Sequence, residues 1–203
     1  MINNFSVDYN KKIPFLNKFI SNVILKNRIS MYKLLENEFF LNPNYKILDV
    51  GTTPSKSNHE NILLKNYKWK NNLTCISNQN LNCLAEMYDD PSFITGDAKK
   101  MQFLDNQFEI VDSSATIEHV GSEKEQSEFI KECRRVSSKS VIITTPNRNF
   151  PIDFHTKIPF LHMLPKSAHR KILKLLGDNF FSKEENLNLL NKNEILKICK
   201  NFN

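Results

Sequence analysis

The sequence predicts an α/β protein: a Rossmann-like, mostly parallel, doubly wound sheet preceded by an N-terminal helical arm. Three observations point there. Short apolar runs recur from residue 45 onward. Amphipathic helical stretches lie between them. Polar, small or turn-forming residues follow each run. Strand–helix alternation of this kind builds a parallel sheet with right-handed crossovers, and runs apolar on both faces suit a sheet covered on both sides.

The elements follow in order. Ile13 to Phe40 reads as a helix, with Leu16, Phe19, Ile20, Val23 and Ile24 on the 3.6-residue period. Residues 1–44 are therefore read as an arm and 45–203 as the main domain. The arm either packs on that domain or lies as an amphipathic lid at a lipid surface, a peripheral membrane contact. The predicted strands are Lys46–Val50, Leu73–Ser77, Ser92–Thr95, Phe108–Ser113 and Ser140–Thr145. Between the first two lies a helix over Ser57–Tyr67, opened by Ser57-Asn58-His59-Glu60 in the pattern of a capping box. The next helix, Asn80–Tyr88, aligns Leu81, Leu84, Ala85 and Tyr88 and is stopped by Pro91. The third, Ser122–Val136, opens with Ser122-Glu123-Lys124-Glu125, a second capping box, and buries Phe129, Ile130, Cys133 and Val136. Lys192–Lys200 reads as a last helix.

Composition excludes several classes. At 203 residues, 40% apolar and 25% charged, the chain is an ordinary globular domain with an arm. No uncharged apolar run approaches the roughly 18–20 residues of a membrane span. Met1 to Asn10 lacks the basic-then-apolar layout of a secretory leader. Cys75, Cys83, Cys133 and Cys199 form no CxxC pair and no zinc pattern, which reads as reduced thiols in a cytoplasmic protein. The net charge of +6 comes from 23 Lys and only 5 Arg, beside 27 Asn. Specific phosphate or base recognition recruits arginine, so the charge argues little for a nucleic-acid partner.

In a doubly wound sheet the ligand site lies at the carboxyl ends of the strands. That rule selects Asp49-Val50-Gly51-Thr52-Thr53, Ser77-Asn78-Gln79, Thr95-Gly96-Asp97-Ala98, Asp112-Ser113-Ser114 and Thr144-Thr145-Pro146-Asn147. Any sheet needs turns there. Carboxylates at both Asp49 and Asp97, just past apolar strands, exceed that need.

Lys46-Ile47-Leu48-Asp49-Val50-Gly51 resembles the first motif of class I S-adenosylmethionine-dependent methyltransferases. Phe93-Ile94-Thr95-Gly96-Asp97-Ala98, then Phe103 to Ser114, then Ala115-Thr116-Ile117-Glu118-His119-Val120 follow in the order of the branch that includes quinone and small-molecule methylating enzymes. The resemblance spans roughly residues 45 to 146. The run Thr144 to Pro165 resembles a narrower group of bacterial methyltransferase-domain proteins.

The resemblance implies S-adenosylmethionine as cofactor and a role for each matched residue. The Gly51 turn would admit the amino-acid end of the cofactor, held by Asp49. Asn78 would meet the ribose hydroxyls. Asp97 would accept from the adenine amino group, with the Ala98 amide facing the ring. Ser113 and Ser114 would line the methionine end. Simpler readings stay open: Asp49 as a strand-end cap, Asp97 as a helix cap, the serines as strand terminators. Three features depart from the family. Thr52, Thr53 and Pro54 replace glycines in the first loop. Ser77-Asn78-Gln79 carries no acid. No run before Asn203 reads as the family's final antiparallel hairpin, which would leave an open sheet edge for a protein partner or self-association.

Transfer from a sulfonium needs mainly alignment, with a base for an oxygen or nitrogen acceptor. His119 and His155 are the candidate catalytic residues, with Glu118 as orienter; Glu118-His119 also reads as a structural pair. Some quinone-methylating relatives hold a metal near this position, but no third ligand matches in sequence, so no metal is assigned. Residues 146–170 read as a stiff Pro-rich insert roofing the acceptor pocket, with Phe150, Phe154, Phe160 and His162 as lining. Those aromatics also read as a satellite core, and Arg148 either binds an acidic acceptor or caps a carbonyl.

The expected function is methyl transfer to a small-molecule or lipid- or sugar-linked acceptor. The rival is a degenerate methyltransferase fold serving as a binding or regulatory module. Nucleic-acid methylation and hydride transfer fit less well, since the sequence carries neither an Asn-Pro-Pro-Tyr motif nor a GxGxxG loop.

Overall fold

The computed structural model describes residues 14–39 and 43–200, with side chains from residue 21 onward. The readings made of Met1 to Asn10, Ile13, Phe40 and Asn203, and of the side chains of Leu16, Phe19 and Ile20, fall outside the described residues. The chain divides into two compact units: residues 1–42 with 55–68, and residues 43–54 with 69–203.

The first unit holds α1 (Pro14–Phe39) and α2 (Ile62–Asn66). Leu35, Leu63, Leu64 and Tyr67 are its buried residues. Arg28 Nη1 donates to the His59 carbonyl at 2.7 Å. The helix expected over Ser57–Tyr67 shrinks to its last turn and a half. Ser57 does not cap it: its hydroxyl meets the His59 ring at 2.8 Å, and Asn61 sits at φ 52, in the left-handed region, just before the helix. Lys65 Nζ binds the Ser57 and Glu60 carbonyls and closes the turn instead.

The second unit carries the sheet: β1 (Ile47–Val50), β2 (Leu73–Ser77), β3 (Ser92–Thr95), β4 (Phe108–Ser114) and β5 (Ser137–Thr144). Its order is β3-β2-β1-β4-β5, and every pairing is parallel. The chain winds outward from β1 to β3, then returns to place β4 on the other side of β1. The β1/β4 junction is thus the topological switch point, where open α/β sheets leave a crevice for ligands.

The central strands β1, β2 and β4 are buried, as their apolar runs require. β3 is exposed at three of its four residues and β5 is only half-buried. These are the edge strands, so the expectation of strands covered on both faces holds for the centre alone. Among the described residues no strand pairs with the outer edge of β5.

Short helices join the strands. α3 (Asn82–Ala85) is one turn that buries Leu81 and Leu84; Ala85, expected on the same face, is exposed. α4 (Glu123–Val136) begins with the capping box that the sequence shows, Ser122 and Glu125 each satisfying the other's backbone N–H. It buries Phe129, Ile130, Cys133 and Val136 against Leu48, Val50 and Val111 of the central strands. α5 (Lys166–Leu175), not foreseen in the sequence, starts directly after Pro165 and buries His169 and Leu173. α6 (Lys192–Lys200) adds Ile198 to the core. All four cysteines are free thiols. Among the described residues no helix is long and apolar enough to cross a membrane.

Candidate functional site

The strand ends are locked level with one another. The Gly51 amide donates to the Ile76 carbonyl at 2.9 Å, and the Gly96 amide to the Ser77 carbonyl at 2.8 Å. Register pairs Val50 with Ile76 and Ser77 with Thr95. The candidates Asp49, Gly51, Asn78, Asp97 and Ala98 therefore follow each other along one edge of the sheet.

Asp49 is buried and accepts from Thr52 Oγ1 at 2.9 Å. Its register partner on β4 is Asp112, also buried. Burial pushes the Asp49 carboxyl up to about 6, although the Thr52 hydroxyl lowers it. Burial and then the charge of Asp49 hold Asp112 well above the usual carboxylate range. Two buried acids side by side resist double ionisation unless a cation joins them. Sequence reasoning did not single out Asp112, because only the strand register places it beside Asp49.

Gly51 has φ +97, and a Cβ there would lie 2.0 Å from Thr116 Oγ1. The bare backbone is required by this neighbour as well as by any ligand. Thr116 Oγ1 donates to the Val50 carbonyl at 3.2 Å, and Ser113 Oγ to the same carbonyl at 2.9 Å. Ser113 is fully buried and fastens β4 to the end of β1; Ser114 is exposed, and its hydroxyl meets Thr144 Oγ1 at 3.1 Å. Asn78 is exposed. Asp97 is exposed too, and its Oδ1 accepts from the Lys99 amide at 2.9 Å, a local turn. Ala98 packs against the core.

Past the ends of β4 and β5 lies a second group. The turn Ile117–His119 is fixed from below by two buried amides. Gln126 Nε2 donates to the carbonyls of Ile117 and Asn188 at 3.1 and 2.8 Å. The Asn188 backbone N–H donates to the Glu118 carbonyl at 2.7 Å, and its Nδ2 to that of Gly121 at 2.8 Å. Glu118 is fully buried, and its Oε2 accepts from Thr145 Oγ1 at 2.9 Å. His119 Nδ1 meets the Asn186 carbonyl at 2.7 Å, and its Nε2 lies 3.1 Å from Nε2 of His155. His155 Nδ1 is 2.8 Å from Asp153 Oδ1. Asp153 is buried, and its Oδ2 accepts from the Thr156 amide and hydroxyl at 2.8 and 2.9 Å.

Burial lowers the His119 ring below its ordinary value, although the neighbouring Glu118 raises it. Burial alone would raise the Asp153 carboxyl; the His155 ring and the backbone N–H donors outweigh it and hold the acid well below its usual range. The two histidines chosen from sequence, 36 residues apart, are in contact. Thr145 and Asp153 lie within stretches the sequence singles out, whereas Gln126, Asn186 and Asn188, which support this turn, carried no local motif.

Phe150 and Phe160 are 54% and 62% exposed, whereas His162 is buried and its Nε2 meets the Phe150 carbonyl at 2.6 Å. Arg148 serves the backbone: its guanidinium donates to the carbonyls of His162 and Leu164 at 3.0 and 2.5 Å.

Residues 48–144 match the family described as a methyltransferase domain. No curated protein matches the sequence. A SAM-dependent methyltransferase of Methanosarcina mazei is similar in structure, with TM-score 0.56 and 16% identity over 81% of each chain. The [4+2]-cyclase SpnF superposes with TM-score 0.55 and 14% identity, over 85% of this chain and 55% of its own. A Haloferax volcanii protein, described as a methyltransferase in complex with a methyltransferase activator, has TM-score 0.50 and 12% identity, over 77% of this chain and 60% of its own. The chain thus spans four fifths of the first of these and little more than half of the other two. The motif order, the all-parallel sheet and the matched stretch agree: residues 48–144 form a methyltransferase domain built on the class I S-adenosylmethionine-dependent fold.

Proposed function

We propose that the protein transfers a methyl group from S-adenosylmethionine to a small-molecule or lipid- or sugar-linked acceptor. The observation that carries this is the Asp49–Asp112 pair at the switch point, beside the Gly51 turn and level with Asp97. A cationic ligand suits that pair, and the methionine end of the cofactor brings an ammonium and a sulfonium. When bound, the cofactor supplies an activated methyl group.

In this reading Asp49, with Asp112 behind it, holds the ammonium, and Gly51 gives it room. Asn78 hydrogen-bonds the ribose. Asp97 accepts from the adenine amino group, with the Ala98 amide against the ring. Ser114 lines the methionine end, and Ser113 keeps the ends of β1 and β4 together. His119 and His155 meet the acceptor and take its proton; Asp153 orients His155, and the Asn186 carbonyl orients His119. The exposed Phe150 and Phe160 supply apolar surface for the acceptor. A protein partner would meet the outer edge of β5. There a groove of about 630 Å³ is lined by the apolar Ile130, Val141 and Ile143 and by the polar Arg134, Ser138 and Lys139; the activator bound to the Haloferax volcanii protein lends support.

Calorimetric titration with S-adenosylhomocysteine, followed by acceptor screening with labelled cofactor, tests the proposal. The second reading is a binding module without methyl transfer. It is favoured by the neutral Asn78 where an acid would grip the ribose, and by a cyclase among the similar structures, since one fold hosts several chemistries. A folded sample that binds no S-adenosylhomocysteine would support it.

A further inference from the structure

We propose that Glu118, His119 and His155 form a site for a divalent first-row metal ion of the zinc type, bound by two imidazoles and one carboxyl oxygen.

The hydrogen-bond partners of the two rings fix which nitrogens carry protons. A carbonyl can only accept, so the contact between His119 Nδ1 and the Asn186 oxygen at 2.7 Å puts a proton on that nitrogen. Asp153 accepts from Thr156 through Oδ2, and its Oδ1 faces His155 Nδ1 at 2.8 Å, which places the His155 proton there. In the neutral rings both Nε2 atoms are then bare acceptors. They face each other at 3.1 Å. Two lone pairs that close repel unless a metal ion, or a proton on one ring, lies between them.

A third acceptor converges on the same point. Glu118 Oε1 lies 4.0 Å from His119 Nε2 and 3.9 Å from His155 Nε2. Glu118 is fully buried, and Oε1 has no hydrogen-bond partner, while Oε2 is held by Thr145. A buried acceptor without a partner demands an explanation. A proton on one ring would satisfy the nitrogens and leave Glu118 Oε1 bare at 3.9–4.0 Å, whereas one metal ion meets all three acceptors.

The dimensions suit it. Zinc takes imidazole nitrogen and carboxylate oxygen at about 2.0–2.2 Å, so tetrahedral donors stand about 3.3–3.5 Å apart. The two nitrogens are already near that spacing, and the three donor atoms lie within 4.8 Å of one another. Closing Glu118 Oε1 takes a shift of about 0.5 Å. Each ligand is oriented by a further group, as metal-bound histidines are: His155 by Asp153, His119 by the Asn186 carbonyl, Glu118 by Thr145. The His119 side chain is 36% exposed, which leaves an open position for a water or an acceptor oxygen. Two imidazoles with one carboxylate favour zinc, iron, cobalt or manganese over calcium or magnesium. Where methyl transfer also holds, an ion here would lower the pKa of an acceptor hydroxyl in place of the bare histidine pair, a role that rests on that reading; the metal site itself does not.

The test is calorimetric titration of the full chain with Zn²⁺, with bound metal counted by mass spectrometry after dialysis. Cobalt(II) serves as a second probe through its visible absorption. The expected result is one equivalent bound at micromolar Kd or tighter, with an intense tetrahedral cobalt spectrum. His119→Ala and the near-isosteric Glu118→Gln should each weaken Zn²⁺ binding at least 100-fold. Asp153→Asn, which of the three ligands meets only His155 and also serves Thr156, should weaken it about 10- to 100-fold. Circular dichroism confirms that each variant folds. Stoichiometric binding that the variants leave unchanged, or no binding by the folded chain, overturns the site and leaves a proton as the only bridge between the rings. S-adenosylhomocysteine is titrated in parallel: loss of that binding alone rejects methyl transfer, and loss of zinc binding alone rejects the metal site.

Discussion

Asp49 and Asp112 stand side by side on adjacent parallel strands, both buried, at the point where the sheet reverses its winding. The fold has placed two acids where a doubly wound sheet opens to its ligand. Burial and the nearness of the two carboxyls hold both above the usual carboxylate range.

The first consequence is a pH effect with a definite sign. The Asp49 carboxyl moves from 3.8 in the unfolded chain to about 6 in the fold. Stability from this group is full below the lower value and lost as pH rises through the upper one. Without ligand, the wild type should lose on the order of 2–3 kcal/mol from this group between pH 4 and 7. Asp49→Asn should remove that slope, as read by urea unfolding at several pH values. An unchanged slope would assign the loss to other groups.

Ligand affinity should run the opposite way. S-adenosylhomocysteine should bind about tenfold more tightly at pH 7 than at pH 5, as Asp49 ionises. Asp49→Asn should bind weakly at both. Equal affinity across the range in the wild type would detach Asp49 from the ammonium.

Gly51→Ala should damage the fold itself. The new methyl would meet Thr116 Oγ1 at 2.0 Å, at a φ of +97. The backbone strain alone costs about 1–3 kcal/mol. Adding Thr116→Gly should relieve the clash but not the strain, so thermal unfolding should show partial recovery. A Gly51→Ala protein as stable as the wild type would contradict the packing described.

Asp97→Ala should leave the fold intact, since the side chain is exposed and serves one local turn. S-adenosylhomocysteine affinity should fall tenfold or more. An unchanged Kd removes Asp97 from the site.

His155→Ala should leave S-adenosylhomocysteine affinity as it is and lower turnover of any identified acceptor by roughly 10²–10⁴-fold. Full turnover would reduce His155 to a packing residue.

Ser122→Ala should cost about 1 kcal/mol, because the capping box at α4 is complete. Denaturant unfolding reads this directly.

What the sequence reveals follows from how local each feature is. β1, β2 and β4 read correctly because central strands are continuous apolar runs. α4 reads correctly because its cap and its buried face lie within one stretch. The same Ser-x-x-Glu signature misleads at Ser57, where Asn61 takes a left-handed conformation and the hydroxyl finds His59 instead. The exposure of β3 could not be read, since edge position belongs to the sheet and not to the run. α5 was hidden behind Pro165 in a stretch dominated by proline and aromatic residues. At the strand ends, the rule selected Asp49 and Asp97 as candidates. The Asp49–Asp112 pair needed the register, and the His119–His155 contact needed the whole insert folded back.

The account's central claim is that a working S-adenosylmethionine site lies at the ends of these strands. Calorimetric titration of the wild-type chain with S-adenosylhomocysteine at pH 7 tests it most directly. The account predicts one site with a micromolar Kd, about −8 kcal/mol, weakened by both Asp49→Asn and Asp97→Ala. A well-folded sample that takes up no ligand would contradict it, and would leave a methyltransferase fold serving as a binding module.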